Sequence, residues 1–300
     1  MDHDSIEIPL DDSDAKLLPS LYEYFKSFWS DTSEEPRAHY NRYIANTPIV
    51  DGVVFRPSAE SELPGLWCEP PSADAERAIL FIHGGAYVMG NADAYRGFVS
   101  QIATRLQCAV FVLEYPLAPE ASVPVALNVA CAAVDRLTAI YPRVAIVGES
   151  AGGGLTLATL ANLHDRKRIT AAVVFSPWTD LTLSGRSIQE KAHNDVLLSS
   201  AQLANAARGY AGALPLDDPR ASPLFGIPSD LPPILIQVGT EEILLDDSRR
   251  YAVAARKAGV SITLEIWQGM HHVFQLDVKT LASSRRALDH AAAFLRSHRS

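Results

Sequence analysis

The chain has 300 residues, 48% of them hydrophobic, which is enough to bury one large core. Its net charge of −9 argues against nucleic acid and against an anionic membrane surface as partners. The three cysteines, Cys68, Cys108 and Cys131, have no CxxC spacing and suggest neither a disulfide framework nor a zinc site.

The acidic opening, "MDHDSIEIPLDDSDAK", lacks an apolar h-region and does not read as a signal peptide. No apolar run approaches the ~20 residues that a membrane-spanning helix needs. A soluble, cytoplasmic protein is the expectation. "KLLPSLYEYFKSFW" then sets Leu17, Leu18, Leu21, Tyr22, Phe25 and Trp29 at helical spacing. The spacing predicts an amphipathic helix that packs on a core or covers a pocket.

Further along, short apolar runs alternate with helical stretches. The runs are "AILFIH" (78–83), "CAVFVLEY" (108–115), "VAIVGES" (144–150), "AAVVFSPW" (171–178), "PILIQV" (233–238) and "ITLEIW" (262–267). Near-continuous apolar strands separated by helices predict an α/β fold, a mostly parallel sheet covered on both faces. Ligands then bind at the carboxyl ends of the strands. Residues 179–232 break the alternation, with a helical "SSAQLANAARGYAGAL" and a Pro-rich tail, and read as an insertion above the sheet.

Two loops carry chemistry. "FIHGGAYVMG" follows the first run, and adjacent glycines let backbone N–H groups approach a developing oxyanion. His83 reads as a brace for that loop. "GESAG" joins the strand "VAIV" to the helical "GGGLTLATLANLHDR", the context of a nucleophile elbow, with Ser150 at the strained turn. The helix behind Ser150 adds free N–H groups and a positive dipole end.

With these residues in view, the sequence resembles the hormone-sensitive-lipase-like family of α/β-hydrolases, the bacterial family IV esterases. "HGGAY" is similar to the family's HGGG, "YPLAPE" to its Y-R-L-A-P-E and "GESAGG" to its GDSAG. "SPWTDL" and "ASPL" resemble segments flanking its cap. The resemblance covers roughly residues 65–295. It implies one α/β-hydrolase domain over 1–300, with a helical cap from about 1–45 and 180–220. It also implies an oxyanion hole built on Gly84, Gly85, Ala86 and Ala151, with Gly84 shaping the loop. Ala86 stands where the family has a third glycine, Pro116 replaces its arginine and Glu149 its commoner aspartate.

Serine needs a base, and the chain order in this fold is Ser, acid, His. The pair His271 and His272 follows the last strand. The family pattern G-x-x-H-G-F, laid on "GMHHVF", places the base at His272, with Val273 in place of glycine. The acid lies among Glu241, Glu242, Asp246 and Asp247. Asp246 and Asp247 open a helix, where acids complement the dipole. The family's D-P-L-x-D, registered on "EILLD", puts the acid at Glu242.

The expectation is a serine carboxylesterase for short-chain acyl esters, working through an acyl-enzyme with a Ser150–His272–Glu242 triad. Alternatives are a hydrolase of another acyl bond, a lactone or N-acetyl amide, or a non-catalytic receptor on the same fold. No metal or organic cofactor is implied. The partner is a small-molecule ester, and the resemblance adds a homodimer.

Overall fold

The computed structural model describes residues 5–31, 33–60 and 63–298. Residues 1–4, the start of the expected cap, lie outside them. The strands are β1 (Ser5–Ile8), β2 (Val54–Pro57), β3 (Gly65–Glu69), β4 (Arg77–Ile82), β5 (Ala109–Leu113), β6 (Arg143–Glu149), β7 (Ile169–Phe175), β8 (Ile234–Gly239) and β9 (Ile262–Trp267). They form one sheet in the order β1-β9-β8-β7-β6-β4-β5-β3-β2. Neighbours are parallel except where β3 pairs with β2 and β5.

The helices are α1 (Asp12–Ser30), α2 (Pro36–Ile44), α3 (Arg96–Leu106), α4 (Val125–Ile140), α5 (Ser150–Asn162), α6 (Ser187–Glu190), α7 (Ser200–Ala211), α8 (Leu245–Lys257) and α9 (Ala282–Ser297). Side chains alternate across the sheet with a period of two. Leu80, Ile82, Ile146 and Ile236 join one core with α4, α5 and α8. Ile79, Phe81, Val147 and Leu235 join another with α3 and α9. Burying each such side chain contributes roughly 1.5–3 kcal/mol, which is why the six central strands read as near-continuous apolar runs.

All six expected strands are present, and three more join them. β1 lies in the stretch assigned to the cap. It instead extends the sheet, parallel to β9, with Ser5 opposite Leu264. Its Ile6 is exposed, so its four residues carry no clear apolar signal. β2 is mostly exposed and β3 alternates over only five residues.

The register aligns the strand ends. Ile82 faces Gly148, Glu149 faces Phe175 and Gly239 faces Trp267. The loops that follow β4, β6, β7, β8 and β9 therefore share one edge. Above it, Leu21 and Phe25 of α1 pack with Met270 and Phe274, and Val196 and Leu197 of the insertion lie against the same cluster. Among the described residues, no helix is long and apolar enough to cross a membrane.

Candidate active site

Ser150 opens α5 directly behind β6 with φ of 53°, a left-handed conformation that is uncommon for a non-glycine residue. The glycines around it are required by space. A Cβ on Gly148 would sit 2.3 Å from Thr156 Oγ1, and one on Gly152 would sit 2.1 Å from the Ile82 carbonyl oxygen.

Ser150 Oγ lies 2.9 Å from His272 Nε2, and His272 Nδ1 lies 2.7 Å from Glu242 Oε2. All three side chains are buried. A carboxylate only accepts, so Nδ1 carries the proton toward Glu242 and Nε2 is left to accept from the Ser150 hydroxyl. Burial pulls the His272 pKa down, but the charge and hydrogen bond of Glu242, helped by Asp195 and Glu149, outweigh it. The net shift is upward from 6.5. Glu242 is itself held by two donors to Oε1, Ser176 Oγ at 2.7 Å and Gly239 N–H at 2.8 Å. Ser176 Oγ in turn accepts from Val273 N–H at 3.2 Å. Val273 has φ of 48°, so a β-branched residue occupies a left-handed position that suits glycine. His271 points elsewhere, with Nε2 2.9 Å from Asp277.

The loop after β4 turns through positive φ at Gly85 (99°), Ala86 (53°) and Tyr87 (65°). Gly84 N–H donates to Glu149 Oε1 at 2.5 Å and so faces the elbow residue rather than a ligand. A Cβ on Gly84 would collide with that carboxylate at 2.3 Å. Among the described residues, no acceptor reaches Gly85 N–H or Ala86 N–H. Ala151 N–H belongs to the first turn of α5, where helical partners are missing. His83 braces the loop, with Nδ1 2.8 Å from the Gly84 carbonyl and its ring stacked on Tyr115 at 4.4 Å. Burial lowers its pKa to about 4 and keeps it neutral.

Comparison with known proteins identifies the family. Residues 79–276 match the family described as the alpha/beta hydrolase fold. An acetyl-hydrolase of Streptomyces hygroscopicus is 39% identical over 77% of this chain and 78% of its own length. An esterase of Acinetobacter venetianus is 35% identical over 74% of this chain and 75% of its own. The crystal structure of an esterase from the bacterial hormone-sensitive lipase family superposes with a TM-score of 0.90 at 32% identity, covering 95% of this chain and 99% of that one.

The chain belongs to the hormone-sensitive-lipase-like esterases of the α/β-hydrolase superfamily. It is a serine carboxylesterase.

Part of the esterase's acid loop departs from expectation. Asp247 does open α8, but it is fully buried, and its Oδ2 accepts from Thr179 N–H at 2.7 Å and Asp180 N–H at 2.9 Å. Burial pushes its pKa up to about 7. Asp246 accepts from Ser187 N–H at 3.1 Å, and Glu241 accepts from Asn194 Nδ2 at 2.6 Å. Asp195 reaches back to accept from Ile243 N–H at 2.9 Å. The run of carboxylates thus fastens the insertion to the loop that bears Glu242. Four residues with a part in this site went unread in the sequence: Ser176, Asp195, Tyr40 and Tyr95. Ser176 alone had a signal, because it directly follows a strand at the shared edge.

Proposed function

We propose that Ser150, His272 and Glu242 are the catalytic triad of this esterase and that it cleaves esters of short acyl chains. The unbroken line of contacts from Ser150 Oγ through the imidazole to Glu242 carries the proposal. Ser150 Oγ attacks the ester carbonyl carbon while its proton passes to His272 Nε2. Glu242 holds the ring and stabilises the imidazolium. The N–H groups of Gly85, Ala86 and Ala151 receive the oxyanion. The C–O bond breaks, the departing alkoxide takes the proton from Nε2, and the acyl group stays on Ser150. Water activated by the same histidine then releases the acid. Helices α1 and α2 and residues 180–220 act as the cap.

The acyl preference rests on aromatic packing beside the nucleophile. Tyr87 stacks face to face on Tyr210 of α7 with centroids 3.6 Å apart, and Tyr87 lies 5.8 Å from the Trp178 ring. Trp178 N–H donates to the Ser150 carbonyl oxygen at 2.9 Å. The hydroxyl of Tyr87 would lie 2.7 Å from a Cβ on Gly154, one turn beyond Ser150. These rings fill space that a long acyl chain would need. The acetyl-hydrolase relative fits the same reading.

A panel of dispersed p-nitrophenyl esters, with Ser150 labelling by an organophosphonate, tests both parts. Acetyl and butyryl esters should turn over fastest, and Tyr210→Ala should move the preference toward longer chains. Faster turnover of a palmitoyl than of a butyryl ester by the wild type would remove the acyl claim. Labelling at a residue other than Ser150 would remove the triad.

A further inference from the structure

We infer that Tyr40, Tyr95 and Glu149 are positioning residues that fix the oxyanion loop from behind, so that seating of helix α2 sets the geometry of the oxyanion hole. The inference rests on the reading of Gly85 and Ala86 as donors of that hole.

The three side chains form one directed line. Tyr95 hydroxyl donates to Glu149 Oε1 at 2.5 Å, the same oxygen that accepts from Gly84 N–H. Its single proton is thereby used, so at the 2.8 Å contact between the two hydroxyls Tyr40 donates to Tyr95. Tyr95 and Glu149 are fully buried. Burial raises the Glu149 pKa, but its hydrogen bonds and the nearby His272 oppose that rise. The line runs from α2, through the residue before α3, to the elbow, and ends on the backbone of the loop.

Helix α2 holds the loop in two more ways. A Cβ on Gly85 would lie 3.2 Å from Tyr40 Cε1, so the tyrosine ring borders that peptide. Arg37 Nε donates to the Val88 carbonyl at 2.8 Å, while the same guanidinium reaches the Ala118 carbonyl at 3.0 Å and clasps Glu120. The loop must keep Ala86 and Tyr87 at positive φ, a strained conformation that persists only when its surroundings over-determine it. The line and the two α2 contacts supply that constraint. An oxyanion donor works only when aimed within a few tenths of an ångström of where charge develops. Loosening the loop should therefore raise the barrier without weakening substrate binding.

The test uses Tyr95→Phe, Tyr40→Phe and Glu149→Gln in the full chain, read by kcat, KM, melting temperature and the Ki of a short-chain trifluoromethyl ketone. That inhibitor forms a tetrahedral oxyanion on the serine. Tyr95→Phe should lower kcat by about tenfold and raise the Ki in parallel, the size expected for losing one buried hydrogen bond to a charged acceptor. Its KM should stay within about twofold and its fold intact. Tyr40→Phe should do the same more weakly. Glu149→Gln keeps an oxygen for both donors, so it should retain more of kcat than Glu149→Ala. The relay is overturned if Tyr95→Phe keeps the wild-type Ki, or if kcat and melting temperature fall while KM rises. If the ketone fails to inhibit the wild type while organophosphonate still labels Ser150, the oxyanion reading itself falls, and the relay with it.

Discussion

The two halves of the active site are built by different means. On the nucleophile side, backbone decides: Gly148, Gly152 and Gly84 leave no room for a Cβ, and Ser150 and Ala86 are held at positive φ. On the acid side, side chains decide. Glu242 is positioned by Ser176 and Gly239, and its loop is tied to the insertion through Asp195, Glu241, Asp246 and Asp247. A backbone-built site announces itself in a short string of glycines. A side-chain-built site depends on partners tens of residues away and is silent in the local sequence.

The sharpest way to test this contrast is Ser150→Ala, which should abolish turnover, a loss on the order of 10⁶ in kcat, with the fold unchanged. Activity within about tenfold of wild type would refute the nucleophile assignment. On the other half, Glu242→Gln keeps size and loses charge. It should cost about 10⁴ in kcat, as removal of the charge does in a comparable triad. It should also move the acidic limb of kcat/KM to lower pH. Glu242 holds the His272 pKa above 6.5, and the base must be neutral to act. An unshifted limb with kcat preserved would point to another acid.

Asp247 separates structure from chemistry. Asp247→Ala should destabilise the fold by about 2–4 kcal/mol, because two buried N–H groups lose their acceptor. Asp246→Ala removes one half-buried hydrogen bond and a loose 3.7 Å ion pair with Arg249, and should cost about 1 kcal/mol or less. Equal melting temperatures for the two would contradict the distinction.

The smallest effect is in pH. The folded-state pKa of Asp247 near 7 exceeds its ordinary 3.8, so between those values the folded protein keeps a proton that the unfolded chain has released. Its contribution to stability therefore falls as pH rises through that window and levels off above it. Asp247→Asn lacks this slope. The melting-temperature difference should shift in favour of the Asn variant between about pH 5 and pH 8. A difference independent of pH would mean that the carboxyl titrates normally.

The same contrast explains what could be read from the sequence. The six central strands were legible because both faces of each are largely buried, which leaves near-continuous apolar runs with few polar interruptions such as Gln237 and Glu265. The elbow and the HGG loop were legible because close backbone approach restricts them to glycine. Glu242 and His272 emerged only through resemblance to a known family, since nothing local distinguishes Glu242 from Glu241 or His272 from His271. Asp247 was legible as a helix-start acid but its burial was not, because that is decided by residues 179–180. β1 was misread because four half-exposed residues in an acidic stretch carry almost no periodic signal. Tyr40 and Tyr95 were invisible, since tyrosines that pack and tyrosines that bridge look alike in sequence.

The ties between the acid loop and the insertion have a practical consequence for redesign. Every hydrogen-bonding group that fastens the two together from the insertion side lies at or before Asp195, and Ser222 closes the far end by accepting from Leu181 N–H at 2.8 Å and donating to the Leu216 carbonyl. A graft from a relative that replaces residues 179–232 whole would cut the anchors of the loop that bears Glu242 along with the old roof. A graft confined to α7 and its flanks, between Leu198 and Leu216, would exchange the wall that carries Tyr210 and leave those anchors in place. The permissible crossover points for chimeras within this family are therefore dictated by a cluster of acids rather than by the visible boundary of the insertion.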